Sequence, residues 1–155
     1  MTHVFLGGTC ARTTTWRETF IDMLAADFTY FNPVVPKWDD AAYENELAQR
    51  KKADFVLYVI TPSMKGVYSI AEVVDDSNKQ PRKTIFCVLP SEPGIHVGYR
   101  HGMPLMREFK PGVLKGLRRV GKMVVANGAQ YFESLDDVVK YLNMQSGPKG
   151  GQIGG

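Results

Sequence analysis

The sequence predicts an α/β fold: a doubly wound, five-stranded and mostly parallel sheet with helices on both faces. Three observations carry this reading. Apolar runs of strand length recur at 2–7, 54–61 and 84–89, segments of helical period lie between them, and Gly and Pro mark the junctions. Strands separated by helices must be joined by crossovers, which gives parallel pairing with both faces covered.

Residues 2–7 (THVFLG) form a buried strand ended by Gly7-Gly8. A helix over 13–26 follows, with a Thr cluster able to cap it and Trp16, Phe20, Ile21 and Leu24 at helical spacing. A short strand at 29–32 stops at Asn32-Pro33, and VVPKWDD is loop. A helix at about 42–53 brings Tyr43, Leu47 and Arg50 onto one side. DFVLYVIT (54–61) is apolar almost throughout and reads as the central strand. A helix over 69–78 and a strand at 84–89 come next. Residues 90–112 carry four prolines and four glycines and read as a long irregular connection. A helical turn at 113–118, a last strand at 119–126 (RVGKMVVA) and a helix over 134–144 capped by Ser134 complete the pattern. The expected organisation is a single domain over 1–145 and a flexible Gly-rich tail over 146–155.

The 155 residues suffice for one hydrophobic core. Hydrophobic residues at 44% and charged residues at 23% exclude a disordered chain, a collagen or a disulfide scaffold. No stretch approaches the roughly 20 apolar residues of a membrane span, and no signal peptide is visible. A cytoplasmic protein without a membrane partner is expected. The net charge of +3 conceals an asymmetry: residues 1–77 hold 7 Lys/Arg against 11 Asp/Glu, whereas 78–155 hold 12 against 5. Cys10 and Cys87 read as small buried or half-buried residues in a reducing compartment. His3, His96 and His101 have no partner at ligand-like spacing, so neither a metal nor an organic cofactor is expected.

In a doubly wound sheet, ligands bind outside the carboxyl ends of the strands. This directs attention to the loops 7–15, 32–41, 61–70 and 90–104. The first, Gly7-Gly8-Thr9-Cys10-Ala11-Arg12, permits close backbone approach and leads to a helix N-terminus, but lacks the dinucleotide and nucleoside-triphosphate spacings. Glu72 lies one turn into the helix after the central strand, Glu46 lies on the preceding helix, and Asp39 and Asp40 follow Trp38. Carboxylates around one cleft, with Tyr30, Trp38, Tyr43 and Tyr68 as stacking surfaces, suit a heterocycle and a cationic transition state. The competing reading is solvated charge at helix starts.

Taken in order, VFLGGT (4–9), Trp16-Arg17, FNPVVPKWDD (31–40), YENEL (43–47), ADFVLYVITP (53–62) and GVYSIAE (66–72) resemble the nucleoside 2-deoxyribosyltransferase-like superfamily. That superfamily also contains deoxynucleoside-monophosphate N-hydrolases and CMP hydrolases. The resemblance spans about residues 3–90 and implies a flavodoxin-like architecture. It implies Glu72 as nucleophile, Glu46 as the acidic residue that orients the base, and Tyr43 and Asn45 as its neighbours. Gly7, Gly8 and Thr9 would line the sugar site. Gly66 stands where the transferases often carry Asp. Arg12, Trp38, Asp40 and Ser69 complete the expected substrate-binding set, and Tyr68 would hold Glu72 in its reactive rotamer. Members are usually dimers or larger, so a homo-oligomer is expected.

The implied activity is cleavage or transfer at the N-glycosidic bond of a (deoxy)nucleoside through a covalent glycosyl-Glu intermediate. The alternative is a nucleoside 5′-monophosphate N-glycosidase, for which Arg12, Thr13, Thr14, Ser63, Lys65 and Ser69 would supply a phosphate pocket. A second alternative is a non-catalytic nucleotide- or nucleic-acid-binding module. It is suggested by Arg100, Arg107, Lys110, Lys115, Arg118, Arg119 and Lys122 against the single acid Glu108, and it is the less favoured reading.

Overall fold

The computed structural model describes residues 1–94 and 98–146. The expected tail, from 147 onward, and His96 lie outside the described residues. Five parallel strands form the central sheet: β1 (Thr2–Gly8), β2 (Phe28–Phe31), β3 (Phe55–Ile60), β4 (Thr84–Val88) and β9 (Gln130–Phe132), in the order β2-β1-β3-β4-β9. Between and after them lie α1 (Trp16–Met23), α2 (Asp40–Lys52), α3 (Tyr68–Lys79), α4 (Pro111–Ala126) and α5 (Leu135–Ser146). The sheet is parallel throughout. The chain order reverses between β1 and β3, which is the topological switch point of a flavodoxin-like sheet.

Alternation along the strands sends side chains to two separate cores. Val4, Leu6, Leu57, Val59, Ile85 and Cys87 pack on one face beneath Trp16 and Phe20 of α1 and Val138 and Leu142 of α5. Phe5, Val56, Tyr58, Ile60, Phe86 and Val88 pack on the other beneath Val73 of α3 and Leu117 and Val124 of α4. Strands buried on both faces read as continuous apolar runs, which is why 54–61 stands out in the sequence.

Helix α2 differs from the rest. It has no buried residue, and Tyr43 and Leu47 are exposed. Asp39 caps it, its side chain accepting from the Ala42 N–H at 2.8 Å. The side that carries Tyr43 and Arg50 is tied to α3, chiefly by Arg50, which reaches Glu72 and Asp76.

Three expectations are corrected. Residues 119–126 are not a strand: they continue α4, whose Leu117, Gly121 and Val124 face the core at helical spacing, and the fifth strand is β9. The Thr cluster does not cap α1, which is shorter than expected, since Thr15 at its N-cap makes no side-chain cap bond. Residues 90–112 are not wholly irregular. β5 (Ser91–Pro93) pairs antiparallel with β8 (Met106–Glu108), and β6 (Tyr99–Arg100) with β7 (Met103–Pro104). The Ser134 cap is present, its hydroxyl oxygen accepting from the Asp137 N–H at 3.1 Å. No described helix is long and apolar enough to cross a membrane.

Candidate active site

A cleft of about 340 Å³ opens at the carboxyl edge of the sheet, at the β1/β3 switch point. Its floor is the end of β1 (Gly7 and Gly8) with Cys10 of the loop that follows. One wall is the loop after β2 with Pro33, Val34, Val35 and Trp38, and the other is formed by α2 and the start of α3. Helical spacing explains the meeting of these two helices. Tyr43, Glu46 and Arg50 stand three and four apart on α2, as Tyr68, Ser69, Glu72 and Asp76 do on α3, so each set shares one face.

Glu72 is only 9% exposed and lines the cleft. Its Oε2 accepts from Arg50 Nη1 at 3.2 Å. Among the described residues no donor reaches Oε1, which leaves that oxygen without a hydrogen bond. Burial pushes the Glu72 pKa up to about 7; Arg50 opposes the shift, and Glu46 and Asp76 add to it. Burial also raises Glu46, with Arg50 and then Arg17 pulling against it. Two carboxyl groups, each shifted by burial toward its protonated form, thus share one cleft. Tyr68 is raised by the charge of Glu72 first and Tyr43 second. Among the described residues no hydrogen bond joins Tyr68 to Glu72; Arg50 is the side chain that holds it. Trp38 and Tyr43 meet edge to face, ring centroids 6.2 Å apart.

Of the residues singled out from the sequence, Gly7, Gly8, Trp38, Tyr43, Glu46, Tyr68, Ser69 and Glu72 come together in the cleft. Thr9, Arg12, Asp40, Asn45 and Gly66 do not line it. Thr9 is buried below: its N–H donates to the Val59 carbonyl at 2.8 Å and its hydroxyl accepts from the Thr61 N–H at 3.0 Å. Arg12, Asp40, Asn45 and Gly66 are exposed. Thr14 and Ser63 have other engagements. Thr14 Oγ1 donates to Glu92 at 2.7 Å, and the Ser63 hydroxyl and N–H donate to the same carboxylate at 2.5 and 3.1 Å.

Sequence reasoning missed Arg17 as a cleft residue. It is 6% exposed and donates to the carbonyls of Leu6, Thr9 and Gly8 at 3.2, 2.7 and 3.4 Å, while stacking over Trp16 at 4.5 Å. It therefore fastens α1 to the end of β1. Burial pushes its pKa down to about 10. Only its place beside Trp16, straight after the Gly-Gly turn, signals this in the sequence. Lysine offers one point charge in place of the guanidinium fork. Arg17→Lys is accordingly expected to lose about 2 kcal/mol, and Arg17→Leu about 3 kcal/mol, by stranding the carbonyls. Urea denaturation checks this: the midpoint falls with an unchanged m-value. An unmoved midpoint in both variants would dismiss the clamp.

Among the described residues no group of three or more His, Cys, Asp or Glu side chains is placed to hold a metal ion. Comparison with curated proteins finds no match. A family model described as nucleoside 2-deoxyribosyltransferase like matches residues 1–91, which run from β1 through β4. That stretch contains every side chain that lines the cleft. By this match over more than half its length, the chain belongs to the nucleoside 2-deoxyribosyltransferase-like family.

Proposed function

We propose that the chain cleaves or transfers at the N-glycosidic bond of (deoxy)nucleosides through a covalent glycosyl-Glu72 intermediate. One observation carries this reading. Glu72 is a buried carboxyl in an aromatic-walled cleft, with one oxygen held by Arg50 and the other free, and Glu46 lines the same cleft. The free Oε1 attacks the anomeric carbon as the bond to the base nitrogen breaks. Glu46, whose burial favours its protonated form, delivers a proton to the departing base. An incoming base or water then attacks the same carbon, the ester opens and the proton returns to Glu46, with net retention. The negative charge of Glu72 stabilises the oxocarbenium-like transition state before the ester forms. Trp38, Tyr43 and Tyr68 supply faces against which a base stacks.

An uncharged 5′ end is favoured over a monophosphate. The Thr14 and Ser63 hydroxyls that a phosphate would use already donate to the Glu92 carboxylate, and that carboxylate opposes a second anion there. The nucleic-acid reading is weaker still, because Arg118 of the basic stretch is spent in a bidentate pair with Glu133. Trp38, Val67 and Tyr68 are more than half exposed around the cleft mouth, which supports a homo-oligomer in which a second copy covers them. A solution mass of one chain would remove the oligomer from this reading. Cys87 is buried as expected, whereas Cys10, on the loop after β1, is exposed; both are free and fit a reducing, cytoplasmic setting, which localisation by fractionation checks.

The test is to incubate the protein with a panel of nucleosides and their 5′-monophosphates, with and without a second base, and to separate the products. Free base from nucleosides alone indicates hydrolysis, and a new nucleoside indicates transfer. Turnover confined to monophosphates would overturn the substrate assignment, and no product with any substrate would overturn the enzyme.

A further inference from the structure

The side of α2 that carries Tyr43, Glu46 and Arg50 faces α3, and the Arg50 guanidinium reaches across to it, with Tyr43 and Tyr68 meeting nearer the cleft. Arg50 Nε donates to Asp76 Oδ2 at 2.8 Å, Nη1 to Glu72 Oε2 at 3.2 Å, and Nη2 approaches the Glu72 carbonyl at 3.5 Å. Asp76 is itself fixed. Tyr58 Oη donates to Oδ2 at 2.6 Å from the central strand, and Gln80 Nε2 donates to Oδ1 at 2.9 Å. Asp76 is 3% exposed, so these bonds form away from water and with little freedom to rearrange.

We propose that Arg50, clamped by Asp76 and Tyr58, is the positioning residue that holds Oε2 of Glu72 and leaves Oε1 for the anomeric carbon. This rests on the reading of Glu72 as the nucleophile. Glu72 and Asp76 are one turn apart on α3, so a planar fork spanning both fixes the rotamer of the first by reference to the second. A single donor leaves Glu72 free to rotate about χ angles toward solvent. The same fork joins α2, which carries Glu46, to α3, so one side chain helps to locate both carboxyl groups of the cleft.

The charges that face Glu72 come from three directions. Arg50, Glu46 and Tyr43 come from α2, Tyr58 from β3 beneath, and Tyr68 and Asp76 from its own helix. Of these only Arg50 is positive. Burial works to lower the Arg50 pKa, but the Asp76 hydrogen bond and the charges of Tyr58, Asp76 and Glu72 outweigh it and raise it. Arg50 therefore stays cationic at any working pH, and its removal takes away the one positive charge among these groups, leaving Arg17 across the cleft beside Glu46.

The experiment compares Arg50→Gln, Arg50→Lys and Tyr58→Phe with the native chain. Two readouts are used: the pH profile of base release, and the titration of Glu72 by carboxyl NMR, which needs no substrate. In Arg50→Gln the Glu72 titration and the acidic limb of the profile are expected to move up together by about one pH unit or more. The rate at pH 6 is expected to fall about 100-fold, and less at pH 9. Arg50→Lys keeps the charge and restores the titration but not the rate, because an ammonium cannot span both carboxylates. Tyr58→Phe removes only the hydroxyl and gives a smaller shift in the same direction; it serves as the probe should Arg50→Gln fold poorly. A purely structural role would lower folded fraction with the Glu72 titration unmoved, and that outcome overturns the proposal. A Glu72 titration that shifts while the rate profile stays put also overturns it. Base release that persists in Glu72→Gln overturns the nucleophile and the positioning role together, while the shifted NMR titration in Arg50→Gln would still be seen.

Discussion

Glu72→Gln is expected to cut release of free base by about 10³-fold or more, in a protein that folds at least as well as the native chain. Glutamine keeps the volume and can still accept from Arg50 Nη1, so the contact at 3.2 Å survives and only the proposed nucleophile is lost. The native protein should gain activity as pH rises through about 7, because burial places the Glu72 pKa there and only the ionised form attacks. Glu46 works in the opposite sense, since it must be protonated to deliver a proton, and burial shifts it toward that form.

Stability follows the same group with the sign reversed. The folded pKa of Glu72 lies above the 4.5 of an ordinary glutamate. Folding therefore favours the protonated form, and its contribution is complete below about pH 4.5 and is lost as pH rises through about 7. Glu72→Gln removes that loss. The variant should thus gain on the native chain between pH 5 and pH 8, by about 2 kcal/mol after allowance for residual solvent contact. Thermal melts at the two pH values read the gap directly. A gap that does not widen with pH would show that Glu72 is not held in a desolvated site, whatever its activity.

The legible parts of the fold were those in which one physical requirement governs a run of residues. β3 and β4 are buried on both faces, so nearly every position in 55–60 and 84–88 must be apolar. The misread segment is 119–126, where Val120, Val124 and Val125 suggest a strand by composition. Leu117, Gly121 and Val124 face the core four and three apart, a helical period, but Gly116 and Gly121 break the apolar signal that would show it. β9 is three residues long with only half-buried positions, too short for any periodicity to register.

The cleft was legible for the same kind of reason. Tyr43 with Glu46, and Tyr68 with Glu72, are local pairs on helices that begin at the carboxyl edge of the sheet. What local spacing does not carry is which side chain crosses from one element to another. Arg17 and Arg50 are unremarkable arginines in sequence. Their importance lies in the Leu6, Gly8 and Thr9 carbonyls and the Asp76 carboxylate, partners separated from them by 8 to 26 positions. Thr9 shows the converse: a hydroxyl beside the Gly-Gly turn suggests a ligand contact, but it is consumed by the Thr61 N–H.

The largest loss of stability is expected at Gly8. Its φ of +112° is a conformation that residues with a side chain rarely adopt, and it stands opposite Val59 in the β1–β3 register. An added Cβ would lie 2.1 Å from the Val59 carbonyl oxygen and 2.6 Å from its nitrogen. Both are backbone atoms of the central strand, so no rotamer change relieves the overlap, and the end of β1 must move off β3. That motion breaks the Thr9 N–H to Val59 bond of 2.8 Å and the Thr61 N–H to Thr9 bond of 3.0 Å. It also displaces the Thr9 carbonyl, on which Trp16 Nε1 and Arg17 converge at 2.8 and 2.7 Å. Gly8→Ala should therefore lose about 4 kcal/mol or more, a large share of the stability of an ordinary domain. Gly66→Ala is the matched control: nothing lies within 4 Å of its added Cβ, so the change should stay within about 0.5 kcal/mol. Urea midpoints of the two variants separate the possibilities. If Gly8→Ala melts with the native chain, β1 does not approach β3 this closely, and the floor of the cleft must be built another way.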